Sequence, residues 1–588
     1  MTRWRSTRCL LVSLLFFAAC SSKNNTGAGS AGTGAVAGSQ AGSSATGGQG
    51  GSNNTTGQAG AGGKPGAGTA GKAGSTAGSG DAGSTAVAGT TGGFGGKLAL
   101  GGAGGTGGAS AGSMGDASVL QYHKHASRDG LYVDAAFTKA AAAKLHRDKT
   151  FTATVSGQVF AQPLYVEGGP GGKDLVIVAT EQNEVTALDA QSGSVVWQRK
   201  ADVLGMPAAT TMATGGCGNI HPLGITGTPV IDAASRKLYF DAMTASGKHM
   251  IHALSVDDGM SPSGWPVDVS TVKTGSLTFN SPPQNQRGAL AIVGGTLIVP
   301  YGGHAGDCGT YHGWVVGVPL DKPQAPVAWA TRAIAGGIWA PGGVASDGTS
   351  IFFATGNTEA AAGMFSAPAS WGDGEAIFKV PPSLSFSGQD ADYFAAQNWS
   401  NLDANDTDIG GSGPVLFSVP GATPTELAIG LGKDGKAYLL DRAKLGGVGK
   451  PLATQSVAGG AIITAAAAYT TNNGTYVVFK AYSGALTALH ITAAAPPAIT
   501  MAWSASPNGQ GSPIVTTSDG KAEAIVWYVG AGGDNKLRGY DADSGMLVFS
   551  GGGADEQLQA VAKFQTPIVA KGRLFVAAAN TVYAFSVN

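Results

Sequence analysis

Ala187-Leu-Asp-Ala-Gln-Ser-Gly-Ser-Val-Val-Trp197 decides the fold, because eroded copies of this stretch return along the chain. Upstream of it, Leu175-Val176-Ile177-Val178 and Val185-Thr186-Ala187-Leu188 are apolar runs parted by polar turn residues, and Val195-Val196-Trp197 closes the stretch. The pattern predicts three short strands joined by tight turns. Asp189 and Gly193 flank the second turn. There an Asx side chain bonds its own backbone two residues on, and glycine takes the positive φ without a Cβ clash. Trp197 supplies a large apolar ring on which a neighbouring unit can pack.

Gly539 to Phe549, Gly-Tyr-Asp-Ala-Asp-Ser-Gly-Met-Leu-Val-Phe, is the best second copy, with Asp541, Gly545 and Phe549 in the equivalent places. Fainter copies lie at Ala253-Leu254, at Ala437 to Asp441 and at Ala488-Leu489, with late aromatics at Trp265 and Trp503. A second signal opens each unit: Gln162-Pro163-Leu164, Thr228-Pro229-Val230, Gly413-Pro414-Val415, Ser512-Pro513-Ile514 and Thr566-Pro567-Ile568, with weaker starts near Arg287, Ala340 and Ile463. About eight units of roughly 50 to 70 residues fall in the range of propellers and solenoids. Four strands per unit make a β-propeller blade. The last unit ends where its fourth strand should begin. Thr150 to Ser156 alternates in polarity before the first unit, so it is predicted to serve as that missing outer strand and to cover two exposed edges. The expected fold is all-β, an eight-bladed propeller of four-stranded blades closed by an N-terminal strand. One helix is expected, Thr138 to His146, with Thr138 as N-cap before an alanine-rich run.

Residues 1–20 carry Arg3, Arg5 and Arg8, the apolar run Leu10 to Phe17 and Ala18-Ala19-Cys20. This is the layout of a secretory signal with a small-residue site, and it resembles a lipoprotein signal peptide whose lipidated residue would be Cys20. Residues 21–116 are dominated by Gly, Ala, Ser and Thr and cannot bury enough apolar surface to fold. They are expected to form a disordered tether with a span on the order of 50 to 60 Å. Residues 117–588 remain for the propeller.

The net charge of −1, with 12% charged residues, excludes a nucleic-acid footprint. Of four cysteines, Cys9 would leave with the signal and Cys20 would carry lipid. Cys217 and Cys308 remain, and in an exported domain a disulfide is favoured over a metal pair. That bond would bring His221, His304, Asp307 and His312 near one another. Imidazole plus carboxylate can bind a transition metal, while the plainer expectation is a stapled loop pair whose histidines face solvent.

The Ala-x-Asp-x-x-Ser-Gly-x-x-x-Trp pattern of Ala187 to Trp197 resembles the docking repeat of the pyrroloquinoline-quinone-like, or quinoprotein-like, eight-bladed propellers. The resemblance covers about Tyr122 to Asn588. It implies either a calcium-dependent quinoprotein dehydrogenase or a cofactor-free member such as an envelope scaffold lipoprotein, and fold alone does not choose. The dehydrogenases of this fold carry two adjacent cysteines over the quinone, and this chain has no Cys-Cys pair. Candidate calcium ligands Asp373, Glu375, Asn405, Asp406 and Asp408 are expected to be scattered in long insertions. The channel contacts available to an anionic cofactor would be Gln162, Arg287, Trp339 and Gln565, with Ser512 beside them.

The expected function is therefore non-catalytic. The chain would be a monomeric, lipid-anchored propeller of the bacterial cell envelope, in the outer membrane, binding a protein or glycan through its loops. Insertions at Ser261 to Arg287 and Thr358 to Gly410, with Trp265, Phe365, Trp371, Tyr393 and Trp399, would supply much of that face. No cofactor is expected on this reading. The alternative is an exported oxidoreductase using pyrroloquinoline quinone and Ca²⁺ on an alcohol or sugar.

Overall fold

A computed structural model describes residues 116–587. The signal segment, Cys20 and nearly all of the 21–116 stretch lie outside the described residues. Eight antiparallel sheets follow one another around an axis, and their inner strands are Leu164–Val166, Val230–Asp232, Ala291–Val293, Ala345–Ser346, Val415–Ser418, Ala467–Thr471, Ile514–Thr517 and Ile568–Ala570. Inner strands of blades 2 to 7 touch in order, and that of blade 8 returns to that of blade 1. Because each inner strand runs the same way along the axis, two sets of loops share one face. These are the loops entering each inner strand and those joining second to third strands. They form the mouth face, and the remaining turns form the back.

Blade 1 shows how the repeat builds a blade. Leu175–Thr180 pairs with Glu184–Asp189, which pairs with Val195–Arg199. Asp189 Oδ1 accepts from the amides of Gln191 at 2.9 Å and Ser192 at 3.2 Å, and Gly193 follows at φ +77°. Asp541 makes the same turn in blade 7, accepting from Asp543 and Ser544. The tryptophans then join blades. Trp197 Nε1 donates to the Val256 carbonyl of blade 2 at 2.7 Å, and Trp503 Nε1 donates to Ala542 of blade 7 at 2.7 Å. Each indole lies against a glycine of the next blade's turn: a Cβ on Gly259 would come within 2.6 Å of Trp197, and one on Gly545 within 2.7 Å of Trp503. Phe549 is buried between blades 7 and 8 beside Trp527. Apolar cores of this kind fill the spaces between blades and supply most of the burial that drives folding.

The ring closes as the cut-short last repeat requires. Ala153 and Thr154 pair with Val582 and Thr581, on the third strand of blade 8. His146–Arg147 extends the same edge against Ser586 and Phe585. The Thr152 amide donates to Ser192 at 3.1 Å, so the closing strand also rests on the repeat turn of blade 1. The helix is shorter than its composition predicts. It spans Lys139–Ala142, with Thr138 Oγ1 accepting from the Ala141 amide at 3.1 Å. The reason is tertiary, because by His146 the chain has entered blade 8 as a strand, and sheet pairing overrides alanine's helix preference.

Residues 116–133 do something the repeat gave no sign of. They wind around the inside of the ring and bond to its inner strands in turn. Val119 exchanges backbone bonds with Tyr165 of blade 1, and Leu120 accepts from Ile231 of blade 2. Ala126, Ser127, Asp129 and Gly130 accept from Ser346, Leu416, Ala468 and Val515 of blades 4 to 7. Blade 3 is reached by Arg128, whose guanidinium donates to Leu290 O at 2.8 Å, and also to Val344 O at 2.9 Å and Tyr122 O at 2.9 Å. The segment then leaves as Leu131–Val133, a parallel strand beside Ile514–Thr517. Such a tight winding needs unusual backbone, and His123, Lys124 and Arg128 all have positive φ. It forms a plug across the channel.

Candidate binding site at the channel mouth

Above the plug, the entries to the inner strands surround a small well on the mouth face, about 30 Å³ in volume. Tyr122 of the plug is its floor, Phe160, Pro341 and Phe564 are apolar walls, Thr226 and Thr228 bring hydroxyls, and Arg287 and Lys563 bring positive charge. Of the residues that sequence places at the channel, Arg287 lines the well. Its guanidinium stands 5.5 Å from the Phe564 ring centre and 6.0 Å from that of Trp339. Burial holds its pKa below the usual arginine range, with Glu181 opposing. Gln162 and Gln565 are buried and engaged with the frame: Gln162 Oε1 accepts from the His123 amide of the plug, and Gln565 Nε2 donates to Val159 and Ala161 carbonyls. Ser512 accepts from Ala465 and donates to the Phe564 carbonyl. These three residues hold neighbouring entries together.

Glu181 sits behind the Thr226 side of the well. It accepts from the Gly224 amide at 2.7 Å and Thr226 Oγ1 at 2.8 Å. Burial outweighs those bonds and pushes its carboxyl up to about 7.

Beside the well the carboxylates expected to be scattered are in fact gathered. The loop joining the second and third strands of blade 4 and the helix Trp399–Asn405 fold against each other. Asp403 accepts from the Thr358 amide at 2.7 Å and its hydroxyl at 2.9 Å, and Glu375 accepts from the Ile409 amide at 2.9 Å. Burial, then Asp408 and Asp403, raise the Glu375 pKa well above the usual range, and burial brings Asp403 to about 6. The neutralising cation is part of the chain. Lys433 Nζ lies 2.5 Å from Asp406 and 2.9 Å from Asp408, and 5.0 Å from the Trp339 ring centre. Burial works against that ammonium, but Asp408 and Asp406 prevail and hold its pKa above the ordinary value. Trp339 Nε1 donates to Asp408 at 2.9 Å. Asp373 is drawn away to Arg332, 2.7 Å distant, and Asn405 donates to the Asn401 carbonyl within the helix. The sequence marks Glu375, Asp406 and Asp408 as oxygen donors but carries no signal that they meet or that Asp403 and Lys433 join them, because a packed loop and helix bring these residues together.

Cys217 and Cys308 are disulfide-bonded across 91 residues. The staple brings only part of the histidine set together: a Cβ on Gly218 would stand 3.8 Å from the His304 ring and 3.9 Å from that of His221, while Asp307 and His312 turn to other partners. His221 stays exposed near the Gly218 carbonyl, whereas His304 is buried against Pro282, with burial lowering its pKa to about 4. Asp307 accepts from the Tyr311 hydroxyl at 2.6 Å, and His312 turns to the Thr331 carbonyl at 2.8 Å. Among the described residues no three His, Cys, Asp or Glu side chains are grouped to hold a metal.

Loop residues complete the face. Met212 and Phe365 project from it, at 83% and 53% exposure, with Val203, Met206 and Met364 also exposed. The aromatic residues of the two predicted insertions divide. Trp371 stacks on Tyr393, Trp265 packs against Tyr239 near the back, and Phe365 stands free of the core.

No family model matches the chain, and no curated protein matches it. Solved structures do. The quinohemoprotein alcohol dehydrogenase of Comamonas testosteroni aligns over 80% of each chain with a TM-score of 0.57 at 14% identity. A quinohemoprotein alcohol dehydrogenase of Pseudomonas putida HK5 aligns over 80% of each at 0.57 and 13%. A europium-containing methanol dehydrogenase aligns over 80% of this chain and 98% of its own, at 0.55 and 13%. At such identity the likeness speaks for architecture alone, an eight-bladed β-propeller like that of these dehydrogenases.

Proposed function

We propose that this chain is a non-catalytic envelope propeller, tethered by lipid at Cys20, that presents its mouth face to a protein or glycan partner. The observation that carries the reading is the filled channel. The plug bonds across the ring beneath the mouth and leaves a well of about 30 Å³, whereas ligand and cofactor pockets occupy roughly 300 to 1,000 Å³.

A quinone with calcium, the alternative that the fold suggests, does not fit these residues. Arg287 and Lys433 already stand against the ring of Trp339, one of the channel contacts such a cofactor would need. Asp406 and Asp408, the best-placed oxygen ligands, are neutralised by Lys433. Asp373 is paired with Arg332, and the chain has no adjacent cysteines. Calcium takes six to eight oxygen ligands, and of the cluster's buried carboxylate and amide oxygens Glu375 Oε1 and Asn357 Oδ1 are the ones left without a protein partner.

A rigid ring with long loops on one side suits recognition, because blades fix loop positions while loop sequence varies freely. Exposed Met212 and Phe365 offer apolar contact on that side. The reading predicts a partner recoverable by cross-linking from solubilised envelope. Met212→Glu combined with Phe365→Glu should lose it, while Met546→Glu, on an exposed back-face turn, should keep it. Equal recovery with both variants would remove the mouth face from the proposal.

A further inference from the structure

We propose that the well at the channel mouth binds a small carboxylate. Its lining gathers hydrogen-bond donors around one space. The buried Tyr122 hydroxyl has the Ser512 hydroxyl as its polar neighbour, which also accepts from Ala465 and donates to Phe564, and it can turn from Ser512 to an acceptor in the well. The Arg287 guanidinium, with five N–H groups, makes ring contacts and feels the Glu181 carboxyl through space, but makes no hydrogen bond with any described residue. Thr228 Oγ1 accepts from the Gln162 amide at 2.8 Å, and its own proton has no acceptor among the described residues. Three donors from the plug, blade 3 and blade 2 thus surround one space.

Unmet buried donors cost free energy that an acceptor removes. A carboxylate is acceptor-only and matches the planar fork of arginine with two parallel bonds. Size narrows the class further. The well is small, about 30 Å³, so the ligand can carry little beyond its carboxylate and a methyl, for which Phe160 and Phe564 provide apolar walls. Bound there, the anion would bridge Tyr122 of the plug to Arg287 of the ring and lock one to the other. The inference is independent of the scaffold reading, and either can fail alone.

The test is thermal melting of the full chain at pH 7.5 in sodium acetate against sodium chloride of equal ionic strength, with acetamide as the neutral isostere. Acetate at a hundredfold its Kd should raise the midpoint saturably by about 3 °C. Chloride and acetamide should not. Tyr122→Phe and Arg287→Gln should melt near the parent in chloride and lose the acetate rise. Should Arg287→Gln fail to fold, Tyr122→Phe, which removes one oxygen, decides the matter. Equal midpoints in acetate and chloride, an equal rise with acetamide, or a full rise in Tyr122→Phe would overturn the proposal.

Discussion

Arg128→Met tests the plug most sharply. The side chain is 1% exposed and donates to four oxygens: the carbonyls of Tyr122, Leu290 and Val344, and Gln121 Oε1 at 3.2 Å. Methionine fills similar space and donates nothing. Three buried carbonyls lose a donor, at about 1–3 kcal/mol each, so the gross loss is on the order of 6 kcal/mol. Part of this is returned. Burial lowers the Arg128 pKa from 12.5 to about 10, so removing the ion recovers roughly 3 kcal/mol of desolvation. The net is a loss of about 3 kcal/mol. For a domain of roughly 470 residues the unfolding entropy makes 1 kcal/mol worth about 1 °C, so circular-dichroism melting should fall by about 3 °C. Arg128→Lys should recover little of this, because one ammonium cannot reach blade 3, blade 4 and the plug together. A melting point unchanged in Arg128→Met would refute the claim that this side chain fastens the plug.

Other outcomes follow from the same geometry. Gly545→Ala meets both an unfavourable φ and the Trp503 ring and should lose roughly 2–4 kcal/mol; a denaturant midpoint equal to the parent's would show the blade contact to be slack. Replacing both Cys217 and Cys308 by serine opens a loop of 91 residues and should cost up to roughly 4–5 kcal/mol by chain entropy, read by calorimetry. Free thiols mapped to Cys217 and Cys308 in the non-reduced parent would contradict the bond. Glu181, raised to about 7, holds its proton in the folded state across a window where the unfolded chain has released it. Its contribution is therefore complete below about pH 4.5, is lost as pH rises to about 7, and amounts to about 3 kcal/mol. Glu181→Gln lacks this loss, so its stability relative to the parent should be higher at pH 8 than at pH 5; an identical difference at both values would place the carboxyl in a solvated setting.

The repeat made the ring legible because blade geometry is local. Asp189, Gly193 and Trp197 specify a turn and a docking ring within eleven residues, and the absent last strand pointed to Thr150 to Ser156. The plug was illegible for the opposite reason. Residues 116–133 bury themselves mostly through backbone carbonyls and one arginine, and neither leaves a periodic trace. The carboxylate cluster is similar: Glu375 and Asp408 meet through loop packing that no spacing encodes. At the channel, residue type separated Arg287, the cation that faces open space, from Gln162 and Gln565, whose amides serve the frame. The helix erred in length because alanine's preference is worth less than pairing with blade 8.

The central claim is that this propeller's channel is closed to a quinone. Titrating the full chain with pyrroloquinoline quinone and Ca²⁺, while following cofactor absorbance and dye-linked turnover on an alcohol panel, tests it directly. The structure predicts no saturable change in absorbance and no turnover above a protein-free control. Stoichiometric, tight binding with alcohol-dependent dye reduction would contradict it.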